Sequence, residues 1–346
     1  MKAAIFHDPG KLEVRDDVRD PVAGPGEVLL KIAACGICGS DLHLYRTNAH
    51  REAGVLRTDE DGREIPGHEY AGRIVALGEG VKGWEVGQRV VGVTGGGAFA
   101  EYVPVPVNDY QIAAIPDNLS YEEAATTEPL ADALQLVRLA NLQPGENVVV
   151  FGVGIIGLGV LQALKAKAPQ AGHIIAVDVS QSRLELASGL GATHIINAGD
   201  TDAVQAVTDI CGRLVGAFPT SVGADVAAVI DCAGYLKHMK GKPPLQQALD
   251  MIRPLGGRIV CFGAYEGDVT LDLTFLIEKQ PQITGSLGYQ PAELKEAVAL
   301  MASGTIDRRQ LISDRFPLDD ITEAFLTQGN GRAIKVMVEM AEPDTV

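Results

Sequence analysis

The segment NVVVFGVGIIG, residues 147–157, constrains this chain more than any other. A run of valines and a phenylalanine reads as a buried strand. Gly152, Gly154 and Gly157 then follow at G-x-G-x-x-G spacing, and a helical pattern starts at about Ile155. Glycines at these positions permit a tight turn, let backbone amides approach a pyrophosphate, and let the helix pack closely on its strand. The helix N-terminus then faces the phosphates, where its dipole favours negative charge. An acid is needed at the end of the next strand, about 20 residues on, and Asp178 closes HIIAV there. Its carboxylate would accept hydrogen bonds from both ribose hydroxyls and repel a 2′-phosphate, which selects NAD over NADP. The alternative, glycines for packing alone and Asp178 as a helix cap, leaves the strand–turn–helix–acid order unexplained. Arg183 reads equally as a contact to the adenosine ribose or as a solvated first-turn arginine.

The rest of the middle of the chain repeats this texture. Strands are expected at 147–151, 173–177, 194–196, 226–231, 258–262 and roughly 281–285, with helices between. They are continuous apolar runs, as parallel strands buried on both faces should be. A doubly wound α/β unit is the expectation. The first 115 residues differ, with short β-like runs such as AAIF, VLLKIAA and AGRIVALG separated by Pro-Gly turns. They read as an all-β, barrel-like domain. Helical signals start at Ser120-x-x-Glu123, a capping box, and at Pro129. Past residue 288 come two helices and a last strand, AIKVMVEM, which read as a return to the first domain. With 346 residues, two domains are expected: 1–128 with 288–346, and 129–287. The polar stretch 46–64 reads as a loop.

Charge excludes several classes of partner. Forty-five acids against 29 lysines and arginines leave a net charge of −16, which repels nucleic acid and anionic lipid surfaces. The glycine-broken stretch 148–164 reads as a buried turn and not as a membrane span. Five cysteines make no disulfide framework, and MKAAIFHDPG carries no export signal, so a cytoplasmic protein is expected.

A second chemical constellation lies in the first domain. CGICGSDLH (35–43) contains a Cys-x-x-Cys without the second pair that a structural zinc of that type wants. Cys211, Cys232 and Cys261 fall in the α/β region and read as buried thiols. His68 and Glu69 follow about thirty residues on, just before a strand, and Glu128 stands at a helix start. One thiolate, one imidazole and one or two carboxylates would hold Zn²⁺ with a position left for substrate. By residue type alone, His68 also fits an ordinary strand-end histidine and Glu128 a helix cap.

These residues carry a resemblance. CGICGSDLH, GHEYAGRIVALGEGVKGWEVGQRV, the EPL triplet at 128–130 and the glycine turn with its distant aspartate resemble the zinc-dependent medium-chain dehydrogenase/reductase family. The chain is most similar to the branch of polyol, butanediol and threonine dehydrogenases. The match runs nearly the whole length, in order. It implies a GroES-like β-barrel catalytic domain, formed from both ends of the chain, and a Rossmann domain with a doubly wound parallel sheet. It makes Cys38 the zinc thiolate and His68 the imidazole ligand. Glu69 and Glu128 become acids that ligate zinc directly or through water. Ser40 becomes the hydroxyl on the alcohol oxygen and His43 the histidine passing the proton toward solvent. Ile156 would lie behind the nicotinamide, Gly263 and Ala264 beside it, and Lys335 near the pyrophosphate.

The implied reaction transfers a hydride between a secondary alcohol or polyol and NAD. Zinc lowers the pKa of the bound hydroxyl to about 7, and Ser40 and His43 relay the proton of the resulting alkoxide. Only VGVTGGGA lies where a four-cysteine structural-zinc lobe would follow GQRV, so one zinc is expected. Asp132 reads either as a nicotinamide contact or as a hydrated first-turn acid. Leu44, Tyr45, Phe99 and Tyr289 are candidates for the substrate pocket, with core positions as the alternative. A homodimer or homotetramer is expected. The competing functions are a zinc-free reductase of the same fold acting on an activated C=C bond, and a non-enzymatic nucleotide-binding protein.

Overall fold

The computed structural model describes residues 1–49, 51, 56–236 and 239–340. It divides into two compact units, Met1–Glu128 with Gln290–Val346, and Pro129–Tyr289.

The second unit is built on six parallel strands. Their order across the sheet is His194–Asn197, Ile174–Asp178, Val148–Phe151, Ala228–Asp231, Arg258–Cys261 and Gln282–Gly285. Every residue of Val148–Phe151 and of Ala228–Asp231 is buried, which accounts for their apolar sequences, interrupted only by Asp231 at the end of the second. Chain order reverses between these two strands, at the crevice where open α/β sheets bind ligands. Two short strands not legible as such, Arg213–Val215 and Val222–Ala224, form an antiparallel hairpin outside this sheet.

In the first unit, the ten-residue strand Glu27–Gly36 is the hub. It pairs antiparallel with Glu69–Leu77, with Tyr102–Pro106 and, at its end, with Lys335–Glu339 from the far end of the chain. Arg89–Val93, Ile112–Ala114 and Ile312–Pro317 complete a seven-stranded sheet. Ile312–Pro317 is a strand that the sequence pattern did not single out. Its core packs Leu30, Ile32, Tyr70, Ile74, Val103 and Phe325, all buried. Registers at the end of the hub strand matter most for function: Gly36 lies opposite Glu69 on one side and Met337 on the other.

The stretch 46–64 is not simply a loop. Arg46 and Thr47 end the helix Gly39–Thr47, and Arg57–Thr58 pairs antiparallel with Glu64–Ile65. Residues 50 and 52–55 of that stretch lie outside the described residues. No helix among the described residues is long and apolar enough to cross a membrane.

Candidate active site

Cys38 immediately precedes the helix Gly39–Thr47, as its N-cap. Asp41, in the first turn and fully buried, accepts the Cys38 backbone N–H at Oδ2, 2.9 Å. This bond fixes the turn that aims the thiol inward. Glu69 opens the neighbouring strand, with His68 directly before it, and both are brought level by the Gly36–Glu69 register. The donor atoms of Cys38, His68 and Glu69 all lie within 4.8 Å of one another, the one such group among the described residues. A thiol, an imidazole and a carboxylate so close, with His68 and Glu69 buried, fit the donor set of a catalytic zinc.

The electrostatics show what this cluster would accept. Burial pushes the Cys38 thiol up and Glu69 adds to the effect, while His68 works against it. Burial opposes a charge on His68, yet Asp41 and Cys38 outweigh it and hold the imidazole well above its usual range. Glu128, buried and facing the same group, is pushed up to about 7, first by burial and then by Glu69. A dication would relieve all of these at once, since it favours the thiolate and the carboxylates outright.

Asp41 escapes notice in the sequence because its neighbours carry the recognisable motif. Its Oδ1 lies 3.6 Å from His68 Nδ1, which leaves Nε2 as the ring's candidate ligating atom. Ser40 and His43 sit half-buried on the same helix, one turn apart. Cys35 is fully buried, with its thiol pushed well up by burial, and points to the Gly36 carbonyl and not to the cluster.

Lys335 requires a correction. It was expected near a pyrophosphate, but it is fully buried inside the first unit, where Nζ forms an ion pair with Glu69 and donates to the Ile37 carbonyl at 2.9 Å. The strand Lys335–Glu339 runs beside Gly36, and its Lys335 side chain reaches Glu69 there. Leu44 and Phe99, weighed as pocket residues, are core: both are buried, and Phe99 packs edge-on against Phe325 with centroids 5.7 Å apart. Tyr45 tilts onto the same ring at 5.2 Å, and Tyr289 is buried in the second unit.

In the second unit the three glycines of the turn do three different things. Gly152 has φ +78°, and a Cβ there would press on Ala233. Gly157 lies so close to the Gly152 carbonyl that a Cβ would collide with it. Gly154 faces open space, with only Arg183 Nη1 near a would-be Cβ, at 4.0 Å. An uncrowded backbone beside a guanidinium, at the start of the helix Ile155–Lys167, suits a phosphate. Asp178 accepts the Val153 N–H at Oδ2 and the Ser180 N–H at Oδ1, each at 2.8 Å, which ties the acid to the glycine turn. Ile156 is half-buried in the helix's first turn. Gly263 has a packing role that the sequence did not disclose. A Cβ there would collide with the Gly234 amide, and Ala264 O accepts from Tyr235 N at 2.8 Å, so two strand ends lie backbone to backbone.

The comparisons with known proteins agree with this architecture. Residues 24–117 match the model of the alcohol dehydrogenase GroES-like domain, and residues 156–303 that of the zinc-binding dehydrogenases. Sorbitol dehydrogenase of Bacillus subtilis is 33% identical over 98% of this chain and 97% of its own length. L-threonine 3-dehydrogenase of Salmonella arizonae is 30% identical over 93% of this chain and 94% of its own. The crystal structure of 2R,3R-butanediol dehydrogenase from Bacillus subtilis superposes with a TM-score of 0.79 at 29% identity, covering 98% of this chain and 99% of that one. The chain belongs to the zinc-dependent medium-chain dehydrogenase/reductase family, in the branch of the polyol and threonine dehydrogenases, and is an oxidoreductase of small-molecule alcohols.

Proposed function

We propose that this protein oxidises a secondary alcohol or polyol with NAD⁺ as hydride acceptor, using one zinc ion. The convergence of Cys38, His68 and Glu69 donor atoms inside the first unit carries the reading. Zinc, when bound, supplies Lewis acidity toward the substrate hydroxyl, and NAD⁺ accepts the hydride. Cys38 and His68 hold the metal, with Glu69 and Glu128 as the acids that complete or exchange in its shell. Asp41 orients the His68 ring through Nδ1. Ser40 Oγ takes the substrate's hydroxyl proton, and the His43 ring carries it away. Asp178 receives the ribose hydroxyls and rejects a 2′-phosphate, while Gly152, Gly154 and Gly157, with Arg183, receive the pyrophosphate; Ile156, Gly263 and Ala264 flank the nicotinamide. Five free thiols fit a reducing compartment such as the cytoplasm. The active form is a homodimer or homotetramer, to be read by light scattering.

The deciding experiment measures zinc per chain on protein purified without added metal. It is paired with NAD⁺ and NADP⁺ reduction against a panel of secondary alcohols and polyols, before and after chelation. About one zinc with chelator-sensitive, NAD⁺-preferring turnover is the expected result. Chelator-insensitive activity without zinc would instead favour reduction of an activated C=C bond.

A further inference from the structure

The strand Ala228–Asp231 ends in a buried acid that the mechanism proposed above leaves unused. Asp231 is fully buried, yet its carboxylate is well supplied with donors. Oδ1 accepts the Ala233 N–H at 3.0 Å and the Gly234 N–H at 2.9 Å, and Oδ2 accepts the Tyr265 hydroxyl at 2.7 Å. The Asp231 carbonyl accepts the Phe262 and Gly263 amides, at 2.9 and 3.0 Å. One residue therefore grips the turn after its own strand and the turn after the next strand, Arg258–Cys261. Tyr235 N donates to the Ala264 carbonyl at 2.8 Å and Glu266 N to the Tyr235 carbonyl at 2.9 Å, which zips the same two turns together.

The contacts extend to the glycine turn. A Cβ on Gly152 would press on Ala233, one on Gly234 would collide with the Ala264 carbonyl, and one on Gly263 with the Gly234 amide. Turns from three adjacent strands thus touch in series, with little between them to absorb a shift. In the reading proposed above, the turn at Gly152 receives the pyrophosphate and Asp178 the adenosine ribose on one side of it. The other half of the dinucleotide then falls across the reversal in strand order, over the ends of Ala228–Asp231 and Arg258–Cys261.

We infer that Asp231 and Tyr265 are positioning residues for the nicotinamide half of the cofactor, fixing the two turns beneath it at a set distance from the pyrophosphate turn. They act through the backbone of those turns and not by touching the cofactor. Their hydrogen bonds order the turns in advance, so the nicotinamide does not have to order them on binding. The inference rests on the dinucleotide reading proposed above.

The test uses the full-length protein, with NADH and ADP-ribose as probes; ADP-ribose keeps the adenosine and the pyrophosphate and lacks the nicotinamide. Both affinities are read by calorimetry, and the fluorescence emission of bound NADH reports the surroundings of its nicotinamide. Tyr265→Phe is expected to weaken NADH binding about three- to tenfold, to move that emission toward the free cofactor's, and to leave ADP-ribose within about twofold. Asp231→Ala should discriminate at least as strongly. Asp231→Asn keeps an oxygen for the two amides and offers an NH₂ to the tyrosine oxygen, so it should lose less NADH affinity than Asp231→Ala. If Asp231→Ala fails to fold, Tyr265→Phe and Asp231→Asn carry the test, with Asp231→Asn expected to lose less than Tyr265→Phe. Tyr70→Phe, which removes a buried hydroxyl 2.7 Å from the Gln111 carbonyl in the first unit, controls for lost stability and should leave both affinities unchanged. An equal loss for NADH and ADP-ribose, an unchanged NADH affinity in Tyr265→Phe, an Asp231→Asn as damaging as the variants it is compared with, or the same selective loss in Tyr70→Phe would overturn the inference. A wild-type protein that binds neither probe would bring down the dinucleotide reading and this inference with it. A wild type that binds both, with an unselective Tyr265→Phe, would bring down this inference alone.

Discussion

Asp41→Asn separates the two tasks that the structure gives Asp41. Asparagine keeps the shape and leaves an oxygen to accept the Cys38 N–H, now 2.9 Å from Oδ2, so the start of the helix Gly39–Thr47 should persist. What disappears is the charge 3.6 Å from His68 Nδ1. At that distance two full charges interact by about 4–5 kcal/mol at an effective dielectric constant near 20. A ligating histidine is neutral, so only part of that acts on metal binding. Partners of this kind change metal affinity by about 10–100-fold, or roughly 1.4–2.7 kcal/mol. The expected outcome is zinc binding weakened within that range in a chelator competition, with the far-ultraviolet circular dichroism of the wild type. Metal-free protein should also lose stability, because Asp41, together with Cys38, holds His68 well above its usual range. An affinity within about threefold of wild type, in a folded variant, would refute the orienting role and leave Asp41 as a helix cap.

Asp178→Asn removes the charge and keeps an oxygen for one of the two amides, Val153 or Ser180, that Asp178 accepts on separate oxygens. The kcat/KM ratio of NAD⁺ to NADP⁺ should fall by about tenfold or more, roughly 1.4 kcal/mol, and an unmoved ratio would show that Asp178 does not meet the ribose. Gly157→Ala places a Cβ against the Gly152 carbonyl, so denaturant titration should show a loss of about 1–3 kcal/mol and weaker NAD⁺ binding. Unchanged stability would mean that the helix shifts without strain. Tyr265→Phe removes the hydroxyl that donates to Asp231 Oδ2 at 2.7 Å and should cost about 1.5–3 kcal/mol at neutral pH. Burial raises the Asp231 carboxyl in the folded state, so its proton is bound more tightly there than in the unfolded chain, and Asp231 destabilises as pH rises through that window. The hydroxyl favours the charged form, so the cost of Tyr265→Phe should shrink as pH falls and Asp231 protonates. A pH-independent cost would refute that assignment.

The dinucleotide unit was the most legible part of the chain because its signals are local. Strand, glycine turn, helix and acid follow one another within a few tens of residues, and each glycine's task depends on atoms close in sequence or on the adjoining strand. The strand Ile312–Pro317 and the hairpin Arg213–Val215 with Val222–Ala224 were not legible. Their burial patterns are largely exposed or mixed, so they lack the apolar runs that marked the core strands. Phe99 and Leu44 illustrate the opposite difficulty, since an apolar side chain reads alike in a pocket and in a core, and only packing tells them apart.

For the proposed metal site, residue types and the family motifs in the sequence pointed to Cys38, His68, Glu69 and Glu128 as candidate donors. Tertiary structure decided their surroundings. A strand from the far end of the chain pairs with Glu27–Gly36 and delivers Lys335 to Glu69, with Gly36 lacking the side chain that would keep them apart. Motifs record which chemical groups are present. The charge that each group feels depends on sheet register across some 300 residues of chain, which local pattern does not encode.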